Sequence, residues 1–206
     1  MPASQSSTMR LGIFGGTFDP LHVGHLILAG EALDQLALDK LHWLLTPDPP
    51  HKPDREITPI PARVAMLQAA IEENAKFELS RLDIDRPPPH YAVDSLHLYR
   101  QRFPQAELIY LMGGDSLGDL PTWHEPRQFI EACDGLGVMR RPGDQVDLSG
   151  LEKELPGISE KVSFVDAPLL EISSSIIRER VAAGRHYRYY LPAAVCEIIE
   201  HRGLYR

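Results

Sequence analysis

The chain has 206 residues, of which 43% are hydrophobic and 24% charged, and it carries a net charge of -8 at pH 7. That length suits one domain with a substantial core, and the composition excludes a disordered or membrane-embedded class. The acidic balance argues against nucleic acid as the main partner, so any phosphate site has to be local. Cys133 and Cys196 lack ligand spacing and read as free thiols in a reducing compartment. No apolar run approaches the ~20 residues of a spanning helix, and residues 1–8 have neither the charge nor the apolar core of a signal peptide. The expectation is a cytoplasmic protein without membrane association. It has a polar tail over 1–8 and a single domain over 9–206, whose last portion, from about 173, is helical.

In chain order, Leu11 to Phe14 is an apolar strand that breaks into Gly15-Gly16 and a turn carrying Asp19, Pro20, His22, Gly24 and His25. Leu26, Ala29, Gly30, Leu33, Leu36 and Ala37 then mark one face of a helix. Leu41 to Leu45 predicts a strand, stopped by the proline-dense stretch TPDPPHKPDREITP. Thr58-Pro59 reads as the N-cap and first position of a helix running to about Glu73. A strand over Phe77 to Leu82, a loop RPPPHY and a helix over Val93 to Phe103 follow.

Glu107 to Met112 is a buried-type strand that ends, like the first, in two glycines, Gly113 and Gly114, before Asp115. Ligands of parallel sheets sit at the carboxyl ends of strands, so both glycine-ended strands can serve one site. Further on come a helix over Pro126 to Ala132, a strand over Leu136 to Met139 leading to RRPG, and a weakly patterned stretch over 144–160 with a short helix at Leu151 to Leu155. A strand over Val162 to Val165, a helix over Ser175 to Ala183 closed by Gly184, and a last helix from Pro192 to Arg202 before Gly203 complete the pattern. Strands alternating with helices imply βαβ units and a mainly parallel sheet, an α/β fold.

The first junction carries the chemistry. Gly15-Gly16 lets backbone approach a phosphate closely, and the helix beginning near Val23 points unpaired N–H groups at the same place. His22 and His25 add two hydrogen-bond donors for phosphoryl oxygens. Neither GxGxxG nor GxxxxGK[ST] occurs. Two other readings stand beside this one, polar capping of a turn and a metal site using Asp19 with both histidines, although that set has no recognised zinc spacing. A second candidate phosphate element is ISSSIIR, where Ser173, Ser174 and Ser175 offer hydroxyls at a helix start and Arg178 lies within its first turn; alone, three serines also read as plain caps. Trp123, between a proline turn and His124, reads either as a core plug or as a stacking plate for a flat ring.

GGTFDPLHVGH resembles the signature of the nucleotidyltransferase superfamily with the (T/H)xGH motif. PPHK at 49–52, GGDSL at 113–117, PTW at 121–123, RRPG at 140–143, ISSSIIR at 172–178 and a closing GLYR fall in the order seen in the nicotinate-nucleotide adenylyltransferase family. The resemblance implies a Rossmann-like open, mainly parallel sheet with helices on both faces. It also implies transfer of the adenylyl group of ATP to nicotinate mononucleotide, giving deamido-NAD and pyrophosphate, with Mg²⁺ brought in by ATP and no metal held by the protein. By resemblance His22, His25 and Arg178 are the catalytic residues. ATP would meet these together with Gly15, Gly16, Thr17, Phe18, Gly113, Asp115, Ser173, Ser174 and Ser175, where Ser175 stands at the family's threonine.

On the second substrate, the resemblance implies that Trp123 stacks on the pyridine ring and that backbone N–H groups near Tyr91-Ala92 and His124 meet its carboxylate. Asp19 joins this set. His51 and Lys52, or Arg140 and Arg141, are candidates for the mononucleotide phosphate, each also readable as a solvated surface charge. One departure is the segment Thr46 to His51, shorter than the family's loop and carrying Asp48, and the stretch 47–56 is a candidate lid. The rivals are another transferase of the superfamily, such as the pantetheine-phosphate enzyme, and a non-catalytic nucleotide sensor.

Overall fold

The structure is a computed structural model that describes residues 8–48, 57–140, 146–168 and 170–206. Six parallel strands form one sheet in the order β3-β2-β1-β4-β5-β6. They are β1 (Arg10–Gly16), β2 (Lys40–Leu45), β3 (Phe77–Ser80), β4 (Glu107–Gly113), β5 (Gly135–Arg140) and β6 (Val162–Asp166). The helices are α1 (Val23–Gln35), α2 (Ile60–Ile71), α3 (Ala92–Arg102), α4 (Gly114–Gly118), α5 (Pro126–Ala132), α6 (Leu148–Glu154), α7 (Ile158–Lys161), α8 (Ser174–Ala182) and α9 (Ala193–Arg202), with single 3-10 turns at Leu120–Thr122 and Arg188–Tyr190.

Strand alternation explains the layering. In β1, Leu11 and Ile13 point into one core with Leu108, Tyr110 and Met112 of β4, under α3 and α5. Phe14 points the other way and joins Ile109 and Leu111 of β4 in a second core under α1 and α2. Helices therefore cover both faces. A third cluster, built by Met66 of α2 with Ile177 of α8 and Val195 and Ile199 of α9, docks the helical portion that follows the sheet.

Sequence patterning places most elements, and the differences have local causes. The helix at 60 begins one residue later than expected because Pro59, at φ -51 and ψ 140, is itself the N-cap. The strand at 77 stops at Ser80, not Leu82. Ala37, counted on the first helix face, lies beyond the helix at φ 48 and is exposed. Gly114 opens the one-turn helix α4, where only a glycine turn was expected, and the weak stretch before β6 holds two short helices, α6 and α7. No helix of the described residues is long and apolar enough to cross a membrane.

One buried cation organises the loops at the top of the sheet. Arg63 on α2 is 1% exposed. Its guanidinium donates to the carbonyls of Thr58 (2.8 Å), Thr17 (3.1 Å), Thr46 (2.9 Å) and Pro47 (2.8 Å), the loops that follow β1 and β2 and lead into α2. Desolvation disfavours its charge, and Asp19 and Asp48 oppose that loss. Replacing Arg63 with methionine keeps much of the packed stem but strands four carbonyls. We expect about 3–5 kcal/mol of lost stability, measured by denaturant unfolding.

Candidate active site

β1 and β4 are neighbours, yet the chain leaves them toward opposite faces, α1 from the end of β1 and α5 beyond the end of β4. Such a reversal opens a crevice at the carboxyl ends of the strands. Two cavities occupy it.

The first, of about 340 Å³, is lined by His22, Gly24 and His25 at the start of α1, by Gly113 to Asp115 at the end of β4, by Arg140, and by Ser173 to Ser175 at the start of α8. His22 is the N-cap of α1 and is 6% exposed. Its ring stacks on that of His25, centroids 3.7 Å apart. Burial lowers the His22 pKa to about 4, and burial together with His22 holds His25 well below its usual range. Both rings are therefore neutral at pH 7. The His22 backbone N–H donates to Nδ1 of His25 at 3.2 Å, so the His25 proton resides on Nε2, a donor on a ring that lines the cavity. Nδ1 of His22 is buried without a partner. A Cβ on Gly24 would come within 3.0 Å of that nitrogen, so a glycine here leaves the imidazole its place.

At α8, the Ser173 hydroxyl caps the helix by accepting from the Ile176 N–H at 3.2 Å, and the Ser174 hydroxyl donates to the Pro20 carbonyl at 2.9 Å. Neither α1 nor α8 has an acidic residue in its first turn, so the positive ends of both helix dipoles face the cavity without a carboxylate of their own. Arg178 donates to the Asp19 carbonyl (2.7 Å) and to the Ser175 hydroxyl (3.1 Å), tying α8 to the loop that carries the histidines.

The second cavity, of about 430 Å³, lies on the α3 side. Its lining includes Gly15, Gly16, Thr17, Tyr91, Trp123 and His124. The Trp123 indole is partly buried, edge-on to Phe129 at 5.2 Å. Tyr91 and His124 stack at 3.9 Å. Tyr91 is the N-cap of α3, whose first N–H groups have no side-chain cap. Behind it, buried Asp83 accepts from Ser95 (2.7 Å) and from Arg86 (2.9 Å), and Arg86 also reaches the Tyr91 carbonyl at 3.2 Å. That network holds the start of α3 in place.

The structure redistributes several expected site residues. Gly15, Gly16 and Thr17 line the second cavity and not the first, because β1 ends on the α3 side of the crevice. Phe18 lines neither; it is 3% exposed, at φ 48, and its ring packs edge-on to His25 at 5.4 Å. Arg140 lines the first cavity, apart from Tyr91, Trp123 and His124, and there it pairs with Asp166 at 2.9 Å and lies over the Phe164 ring. Asp19 is buried away from both cavities. Its carboxylate accepts from the Tyr205 hydroxyl at 2.7 Å and the Thr58 N–H at 3.4 Å, which makes it a fastening point of the motif loop. The expected residues Gly113, Asp115 and Ser173 to Ser175 do line the first cavity, and Tyr91, Ala92, Trp123 and His124 the second. His51, Lys52 and Arg141, and most of the candidate lid, lie outside the described residues.

A doubly wound parallel sheet with two helix starts and two imidazoles converging on its switch point defines a nucleotide-binding α/β protein, and residues 13–180 match the cytidylyltransferase-like family. Over 197 residues the chain is 51% identical to a Thermomicrobium roseum protein named probable nicotinate-nucleotide adenylyltransferase, covering 96% of this chain and 92% of that relative. A Thermus thermophilus protein of the same name is 41% identical over 198 residues, 96% of this chain and 100% of its own length. The chain belongs to the nicotinate-nucleotide adenylyltransferase family. Among solved structures, Plasmodium falciparum nicotinic acid mononucleotide adenylyltransferase complexed with NaAD shares the fold, with a TM-score of 0.75 at 21% identity over 96% of this chain and 97% of that one.

Two measurements test these assignments. Tyr205→Phe removes the best donor to a buried carboxylate; we expect a loss of about 1.5–3 kcal/mol in unfolding free energy and slower turnover, read by urea titration and steady-state kinetics. For His22 the sign is that of a buried neutral base. The unfolded chain takes up its proton near pH 6.5 and the folded one near 4, so stability falls as pH drops through that window. His22→Asn should flatten that fall in denaturation curves taken at pH 7 and pH 4.5.

Proposed function

We propose that this chain transfers the adenylyl group of ATP to nicotinate mononucleotide, releasing pyrophosphate and forming deamido-NAD in NAD biosynthesis. One observation supports this above the others. Two cavities open side by side at the ends of β1 and β4, one furnished with phosphate-type donors and the other with an indole and a helix start that has no side-chain cap. The names of the close relatives point to the same reaction.

In this reading ATP occupies the first cavity and the mononucleotide the second. The mononucleotide phosphate is already ionised at neutral pH, so neither a general base nor a covalent intermediate is required. Alignment and relief of charge remain to be supplied. The phosphate attacks the α-phosphorus in line, and charge grows on the departing pyrophosphate. His25 donates from Nε2 as a neutral imidazole, and the N–H groups at the starts of α1 and α8 add fixed dipoles that need no reorganisation. Arg178, which lines neither cavity, contributes by joining α8 to the histidine loop and by holding Ser175, whose residue lines the first cavity.

Among the described residues no group of three or more His, Cys, Asp or Glu side chains is arranged to hold a metal ion. Among the described residues Asp115 is the one carboxylate on the lining of the first cavity. This donor set fits a Mg²⁺ that travels on the triphosphate oxygens, where it would neutralise part of their charge.

The direct test is pyrophosphate release by purified protein with ATP, Mg²⁺ and nicotinate mononucleotide; no release would refute the proposal. His25→Ala should lower kcat on the order of 10²- to 10³-fold with the fold intact by circular dichroism. Trp123→Ala should raise KM for the mononucleotide well above its effect on KM for ATP, and equal effects on both would refute the stacking role.

A further inference from the structure

The floor of the second cavity holds a polar group that the reaction scheme above leaves unused. Tyr110 lies in β4 in register with Ile13 of β1, is 8% exposed, and lines the cavity. Its ring packs edge-on against Phe129 at 5.1 Å and Trp123 at 6.3 Å, so its position is set by the same aromatic group that holds the indole. The side chain leans along the strand toward the end of β1. A Cβ on Gly15 would come within 2.6 Å of the phenol oxygen. Glycine at that position is therefore what lets the hydroxyl reach the crevice.

Among the described residues the Tyr110 hydroxyl has no hydrogen-bond partner. The Tyr99 hydroxyl, also unpaired, is sealed in the core, whereas the Tyr110 oxygen keeps contact with open space, and the open space beside it is the second cavity. A buried hydroxyl is costly to leave unpaired. Burial also pushes the phenol pKa far above its ordinary value, so the group remains a proton donor at every pH at which the protein is folded and active. A fixed donor at the bottom of a cavity calls for an oxygen acceptor on whatever fills it.

We infer that the Tyr110 hydroxyl donates a hydrogen bond to an oxygen of the pyridine mononucleotide and is a specificity-determining residue of the second cavity. This rests on the proposed assignment of that cavity to the mononucleotide. The ring carboxylate and the ribose hydroxyls share the required chemistry, and the arms of the experiment separate them.

Tyr110→Phe removes one oxygen and keeps the ring and its contacts with Trp123 and Phe129. The expected result is a roughly tenfold rise in KM for nicotinate mononucleotide, KM for ATP within about twofold of wild type, and no loss in thermal midpoint. Parallel assays with nicotinamide mononucleotide locate the acceptor. A rise confined to the acid assigns the bond to the carboxylate, and an equal rise for acid and amide assigns it to the ribose. Unchanged KM values for both mononucleotides, or a rise shared equally with ATP, would overturn the inference. Wild-type turnover is the control that separates the two failures: an inactive wild type removes the proposed reaction and this inference with it, whereas an active wild type matched by Tyr110→Phe removes this inference alone.

Discussion

The site depends on two adjacent strands whose chain continues toward opposite faces of the sheet. Hydrogen bonding keeps β1 and β4 side by side, while α1 must cover one face and α3 and α5 the other. No side chain of the cores can fill the gap this leaves above the strand ends. A reaction that joins two nucleotides needs two separately shaped pockets sharing one boundary, and the sheet supplies that boundary as backbone. The glycines there keep it thin. Everything else in the site, from the histidine loop to the start of α8, is packed around that edge.

Among its described residues the protein lines the two cavities with a single Lys or Arg side chain, Arg140. Its net charge is -8, and the two imidazoles at the first cavity are neutral because they are buried. Polarity is instead provided by oriented N–H groups at three helix starts, those of α1, α3 and α8, none of them capped by an acidic side chain from its own N-cap. Dipoles held by backbone do not move when a product leaves, and they bind an anion without the strong, non-selective pull of a lysine cluster. The Arg86, Asp83 and Ser95 network and the Arg178 bridge spend their charge on holding helix starts in position.

Much of the fold was readable from residue pattern, since strands such as Glu107 to Met112 and helices such as Pro126 to Ala132 announce themselves by apolar runs and by proline or glycine at their ends. Gly203 at φ 61 closes the last helix as its position suggests. What could not be read is what depends on pieces distant in sequence. Asp19 looks like a ligand in a motif full of ligands, and only the approach of Tyr205, 186 residues away, shows that its carboxylate is already engaged. Arg140 sits next to a loop and resembles a phosphate clamp for either substrate, and its side of the crevice follows from β5 lying beyond β4. Tyr110 is hidden in an apolar run, where a tyrosine among Leu and Ile reads as core. Arg63 lies in a helix whose neighbours gave no sign of the four carbonyls it collects.

The Arg63 guanidinium has a dynamic consequence. Because one side chain of α2 holds the loops after β1 and β2 at once, neither loop can open alone without releasing a charge into a place that water does not reach. Local fraying, the usual fate of loops at the rim of a sheet, is replaced by a cooperative unit that includes α2. The segment that leads to His22 is thereby coupled to α2 through the Thr17 carbonyl. The order of the histidine loop is set by the stability of a secondary-structure element with which it shares no covalent neighbour.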